Sequence, residues 1–369
     1  MIHETPSARR AVTGLLAGAS AAMLASVALA QGTVDLSGET VEYVIPFSEA
    51  GGSAQWANFY APLLSEALPG NPTVVVRYRP GAGSTEGANW FQNNQADGDG
   101  KLIFGDSGST KFPYLLGDPR VRYEYGDWQP VLASGTGGVV YLPPDLAEAF
   151  DGDMDALQDE NFLYGSQGAT TLDLVPLLAF KMLGLQVDPV FGIEGRGDGR
   201  LMFERGEANI DYQTTPAYLA NVTPLVEEGL AVPVFAWGTL DEDGNIVRDP
   251  TFPDLASFKE VCEATEGCET TGTAWDAWKA FFVAGFANQK TVFLPGAAPQ
   301  EVVDVYIAAF DDIKARPDFP EISKEALGIY PQQTGAAAIE ATKQATTISP
   351  DAKKYVLDWL KEDYGVTTE

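Results

Sequence analysis

VEYVIPFSEAGGSAQWANFYAPLLSEAL, residues 41–68, decides the fold. Val41 to Ile45 is a run of β-branched and aromatic residues that predicts a strand. Pro46 ends it, and the stretch Phe47-Ser48-Glu49-Ala50-Gly51-Gly52-Ser53 reads as a loop. From residue 54 the large apolar residues Trp56, Phe59, Tyr60, Leu63, Leu64 and Leu68 recur at helical spacing, which predicts a helix over 54–68. Strand, glycine-rich loop and helix make one unit of an α/β layer. The pattern recurs outward: strands at Thr73–Arg77 and Lys101–Gly105 are also followed by glycine-rich loops, where open α/β sheets place their ligand sites. A second series runs from a strand at Phe162–Tyr164 through a helix near 171–183, a strand near Val190, a helix near 198–205 and a strand at Asn209–Tyr212. Val232–Trp237 predicts another strand, Asp243-Gly244 a hairpin tip, and residues 299–315 and 351–363 amphipathic helices. Two α/β series with no linker between them predict a bilobal protein with a cleft.

Composition fits this reading and narrows the function. The 369 residues are 45% hydrophobic and 11% aromatic, which is a globular composition. The formal charge is −29, from 52 acidic against 23 basic residues, and it excludes a nucleic-acid partner, because phosphate binding needs clustered cations. His3 is the single histidine. Without it there is no Ser-His-Asp or Cys-His catalysis and no histidine-ligated metal. No catalytic residue, metal or cofactor is expected.

Residues 1–30 read as an export signal: Arg9 and Arg10 lead an uncharged run from Ala11 that closes on Ala28-Leu29-Ala30, a small-residue cleavage site. The arginine pair leaves both the general and the twin-arginine export routes open. Removing Glu4, Arg9 and Arg10 takes the formal charge from −29 to −30. A periplasmic product is expected, and Cys262 and Cys268, six apart in a polar stretch, could then close a small disulfide loop, with free thiols as the alternative.

Three motifs fail as cofactor or metal sites. Pro80-Gly81-Ala82-Gly83-Ser84-Thr85-Glu86-Gly87 has Glu86 where a dinucleotide loop needs its third glycine and has no Gly-Lys-Ser/Thr ending, so it reads as a tight turn. Asp151, Asp153 and Asp155 match the start of a calcium loop, but Ala156 and Phe162 occupy its glycine and glutamate positions. Asp241 and Asp243 read as turn chemistry. By contrast, Gly165-Ser166-Gln167-Gly168-Ala169-Thr170-Thr171 follows a strand and opens a helix; it reads equally as an anion site and as ordinary threonine capping.

Seven segments in order carry a resemblance: Ile45-Pro46-Phe47-Ser48-Glu49-Ala50-Gly51-Gly52, Tyr78-Arg79-Pro80-Gly81-Ala82-Gly83, Asp99 to Gly105, Gly126 to Val131, Tyr164 to Gly168, Arg205 to Asp211 and Leu294 to Pro299. Over roughly residues 39–305 the chain resembles the periplasmic receptors of tripartite tricarboxylate transporters, the Bug receptors. The resemblance implies a periplasmic-binding-protein-like (type II) fold with two α/β lobes, residues 39–138 with 288–369 and residues 139–287, closing on a small organic acid. It implies delivery of that acid to membrane permease subunits by a monomeric receptor. Carried over by position, the expected ligand contacts are Ser48, Ala50, Gly51, Gly52 and Ser53; Ser107, Ser109 and Thr110; Ser166, Gly168, Ala169, Thr170 and Thr171; Phe191 and Gly192; and Asp211. Arg79 falls on a structural arginine of the family.

The chain also departs from the pattern. Leu174 stands nearest the family's usual histidine, Glu194 stands where lysine is common, Gln167 replaces a turn proline, and Glu49 adds an acid beside the first loop. These changes make the expected pocket less cationic and open the ligand class to monocarboxylates, aromatic acids and amphoteric solutes. The segment 241–278, with both cysteines, is longer than expected and reads as an excursion. An exported hydrolase using carboxylate pairs and a solute sensor are the rival readings.

Overall fold

The computed structural model describes residues 1–3, 34–95, 97–150, 152–241 and 243–367. The export signal and its cleavage site fall outside the described residues, apart from residues 1–3. From Asp35 onward the chain forms one unit, built of two α/β lobes.

The first lobe opens with the expected β1 (Thr40–Ile45), α1 (Gly52–Ala67), β2 (Thr73–Tyr78) and β3 (Leu102–Gly105), to which the structure adds α2 (Thr85–Asn93) before β3, and α3 (Gly108–Leu116) and β4 (Trp128–Ser134) after it. Strands β1, β2 and β3 pair in parallel, with β1 in the middle. The Trp56, Tyr60 and Leu64 side chains of α1 are buried, as the apolar spacing requires. Arg79, after β2, stacks its guanidinium 3.9 Å from the centre of the Trp90 ring, a packing role.

The second lobe begins with β5 (Gly138–Leu142) and continues through α4 (Pro144–Phe150), β6 (Asn161–Ser166), α5 (Leu174–Met182), β7 (Gln186–Phe191), α6 (Arg196–Glu204) and β8 (Asp211–Thr214). Short helices α7 (Thr215–Ala217) and α8 (Thr223–Glu227) flank one π-helical turn, followed by β9 (Val232–Ala236) and the hairpin β10 (Thr239–Leu240) and β11 (Ile246–Val247). Strand β5 sits between β8 and β9 in an antiparallel sheet, and β6 pairs in parallel with β7. The expected hairpin tip at Asp243-Gly244 therefore forms.

Helices α9 (Phe258–Ala264) and α10 (Gly272–Phe282) correct the reading of 241–278 as an excursion. Cys262, Phe258 and Trp278 are fully buried, and Trp278 packs against Phe258 and Phe282. The Cys262–Cys268 disulfide forms, and it fastens the end of α9, whose apolar face is core rather than surface.

The chain returns to the first sheet as β12 (Lys290–Pro295), antiparallel between β3 and β4. Helices α11 (Gln300–Lys314) and α12 (Phe319–Leu327), edge strand β13 (Gln332–Thr334) and helix α13 (Gly335–Ala345) complete that layer, with sheet order β13-β4-β12-β3-β1-β2. The last helix, α14 (Pro350–Tyr364), turns away from it: Val356, Trp359 and Leu360 join the apolar cluster that holds Leu178 of α5 and Trp278 of α10.

Candidate functional site

Three first-lobe loop ends meet three second-lobe loop ends around a cavity of about 30 Å³. From the first lobe come Phe47, Gly51, Gly52 and Ser53 at the start of α1, Ser107 and Ser109 at the start of α3, and Gln289 just before β12. From the second lobe come Gln167 and Leu172 after β6, Gly195 and Arg196 at the start of α6, and Thr214 at the end of β8. Strands β1, β3, β6 and β7, all in parallel pairs, bring their carboxyl ends; β8, from the antiparallel sheet, also brings its carboxyl end, and antiparallel β12 its amino end. A volume of about 30 Å³ holds about two waters.

The walls touch closely because glycines line the seam. A Cβ on Gly52 would overlap the Thr214 hydroxyl, and one on Gly197 would come within 2.5 Å of the Ala50 backbone. Ser109 spans the seam: its hydroxyl lies 3.2 Å from Gln167 Oε1 and accepts the Leu172 N–H at 3.1 Å. Ser107 caps α3 by accepting the Ser109 N–H at 3.2 Å.

Arg196 is the charged side chain of the wall. It lies between the Tyr164 and Tyr212 rings, 4.8 Å from each. One terminal nitrogen donates to the Gly165 carbonyl at 2.5 Å and lies 3.3 Å from an Asp173 oxygen. The other donates to Asp211. Burial disfavours the guanidinium charge, but Asp173 and Asp211 outweigh burial and hold Arg196 well above its ordinary value. Burial likewise raises Asp211, against the pull of Arg196. The Nε of Arg196 is buried with no hydrogen-bond partner among the described residues, an exception that marks a place for an acceptor.

Of the expected contacts, Gly51, Gly52, Ser53, Ser107 and Ser109 line the cavity. Ser48 and Ala50 lie at the seam beside it, with the buried Ser48 hydroxyl unpartnered near Gly195. The others serve the fold. Thr110 hydrogen-bonds the Ser84 hydroxyl at 3.0 Å. In the turn from Ser166 to Thr171, Asp173 takes two of the donors: its Oδ2 accepts the Gln167 N–H at 2.7 Å and the Ser166 hydroxyl at 3.0 Å. Thr171 donates to the Gly168 carbonyl at 2.7 Å, Thr170 sits 3.3 Å from Arg120, and Ala169 is in the apolar core. Gly192 donates its N–H to the Ser166 carbonyl, and Phe191 is exposed, edge-on to Tyr364. Asp211 does not face the cavity; Arg196, Tyr141 and Gln213 occupy its oxygens.

Sequence reading missed six lining residues, Phe47, Leu172, Gly195, Arg196, Thr214 and Gln289. The segment Gly195-Arg196-Gly197 held a signal, an arginine between two small residues at a helix start. Gln289 held none, because only the return of β12 to the first sheet brings it to the cleft. Arg196 brings a cation to the wall, but Asp173 and Asp211 pair with it, so the cluster adds no net positive charge.

No family model and no curated protein matches the sequence. Solved structures do match in fold. The periplasmic binding protein BugD is 20% identical, with 89% of this chain and 98% of that chain covered and a TM-score of 0.61. R. palustris Rpa4515 with adipate is 16% identical, with the same coverage and a TM-score of 0.65. The chain has the fold of a bilobal periplasmic solute-binding protein. MatC from Rhodopseudomonas palustris with bound malate is 15% identical over 86% of this chain and 98% of that one, with a TM-score of 0.60. Among the described residues no helix is long and apolar enough to cross a membrane.

Proposed function

We propose that the protein is a periplasmic receptor that captures a small organic acid and passes it to the membrane permease of a tripartite tricarboxylate-type transporter. One observation carries the reading: Arg196 lines the interlobe cavity together with the first turns of α1 and α3, and its buried Nε–H has no hydrogen-bond partner among the described residues. An N–H donor on a guanidinium and two helix amino ends suit a carboxylate. The bound malate and adipate of structures sharing this fold support the ligand class. We assign the lobes to residues 39–138 with 288–349, and 139–287 with α14. The crossings near Gly135–Gly137 and Ala287–Gln289 serve as the hinge, and ligand bridging the walls favours the closed state.

Isothermal titration with aliphatic and aromatic carboxylates tests the assignment. An acid that binds wild type and binds Ser109→Ala at least about fivefold more weakly supports it, by loss of a hydrogen bond of about 1 kcal/mol. Equal affinity removes the cavity from the role.

A further inference from the structure

Lys290 is 2% exposed, the first residue of β12. The other buried cations each have a carboxylate partner: Lys111 pairs with Asp106 at 2.8 Å, and Arg196 with Asp173 and Asp211. Lys290 has none within ion-pair distance among the described residues. Its Nζ donates to the side-chain carbonyl of Gln289, whose backbone carbonyl accepts Lys111 Nζ at 2.9 Å. Gln289 itself lines the interlobe cavity.

The topology explains the placement. In the β12–β4 register Lys290 stands opposite Ser134, and facing residues of an antiparallel pair share a side of the sheet. Ser134 Oγ accepts the indole N–H of Trp56 in α1. Lys290 therefore lies on the face that α1 covers, behind the Gly52–Ser53 end that opens on the cavity.

We infer that Lys290 is the counter-charge of the cleft: an organic acid binds with its carboxylate toward the wall of Ser53, Ser107, Ser109 and Gln289, and Lys290 neutralises it from behind through Gln289. This rests on the organic-acid reading of the cavity. A buried ammonium without a carboxylate is costly in the empty protein, and an anion bound beside it offsets that cost. Lys111 and Asp106 are the charged groups that act on it, the first lowering and the second raising its value; Ser134, opposite it on β4, is neutral. Burial, reinforced by the Lys111 charge, pulls Lys290 down to about 7.

The test is titration calorimetry of malate, adipate and benzoate into wild type, Lys290→Met and Lys290→Gln between pH 6.5 and 8.5, where carboxylates stay ionised. For wild type the affinity of the bound acid falls roughly 10- to 30-fold across that range as the ammonium loses its proton. Both variants bind at least about tenfold more weakly at pH 6.5, the loss of one charge pair, and show no pH dependence. Variants that keep wild-type affinity and the wild-type pH profile overturn the role of Lys290 and leave the organic-acid reading intact. A wild-type protein that takes up none of these acids at pH 6.5 overturns the organic-acid reading and the proposal with it.

Discussion

Asp173 accepts the backbone N–H of Gln167 at 2.7 Å, so the chain's own carboxylate occupies the anion-binding turn of the second lobe. The same carboxylate oxygen takes the Ser166 hydroxyl and lies 3.3 Å from Arg196. This ties the turn after β6 to the start of α6 and holds the Arg196 guanidinium at the cavity wall.

Thr170→Ala with Thr171→Ala therefore leaves ligand affinity within about twofold, since both hydroxyls bond inside the fold. Asp173→Ala instead strands Arg196 beside a single carboxylate and costs about 3 kcal/mol of stability, the scale for breaking a buried pair. Titration calorimetry checks the first variant and urea unfolding the second.

Gly52→Ala places a methyl group where the Thr214 hydroxyl sits in the closed seam. The lobes then meet imperfectly, and affinity falls at least about tenfold, the equivalent of about 1.4 kcal/mol of strain in the closed state. Small-angle scattering with saturating ligand reads the defect directly: the variant keeps a larger radius of gyration than wild type. Equal radii would show that the seam does not limit closure.

Much of the first lobe was legible because its signals are local. The strand at Val41–Ile45, the loop to Ser53 and the apolar spacing of Trp56, Tyr60 and Leu64 each declare themselves within a few residues. The loop ends Gly51 to Ser53 and Ser107 to Ser109 came by position from the family resemblance, and their place after strands agrees with it. Antiparallel β12 and the buried helices α9 and α10 escaped, because their partners lie far away in sequence. Asp211 was misplaced for a related reason: a carboxylate on a strand near the cleft reads as a ligand contact until Arg196 is known to sit beside it. The segment with Cys262 looked polar because its acids face solvent while Phe258, Trp275 and Trp278 turn inward.

The disulfide closes a short loop, so its reduction costs about 2 kcal/mol on chain-entropy grounds. For a protein of this size that is a drop of about 2–4 °C in Tm. Thermal unfolding with and without reductant measures it, and Cys262→Ser with Cys268→Ser should be insensitive to reductant.

Lys290 also leaves a mark on unliganded stability. Its folded-state value lies near 7, below the ordinary lysine value of 10.5, so between those pH values the unfolded chain holds a proton that the folded chain has lost. Stability attributable to this residue is lowest at and below pH 7 and rises with pH by about 1.4 kcal/mol per unit above it. The difference in unfolding free energy between wild type and Lys290→Met should narrow in wild type's favour from pH 7 to 9. A difference that does not change with pH would place the Lys290 titration elsewhere.

The central claim is that the cleft between the lobes takes a small organic acid. Its most direct test is thermal unfolding of the purified protein with a panel of carboxylates, amino acids and sugars in buffered salt. At a hundred times its dissociation constant a ligand stabilises the folded state by about 2.7 kcal/mol, which raises Tm by about 2–4 °C at this chain length. We predict such a shift from one or more carboxylates and none from sugars. A shift produced by sugars while every carboxylate leaves Tm unchanged would contradict the account.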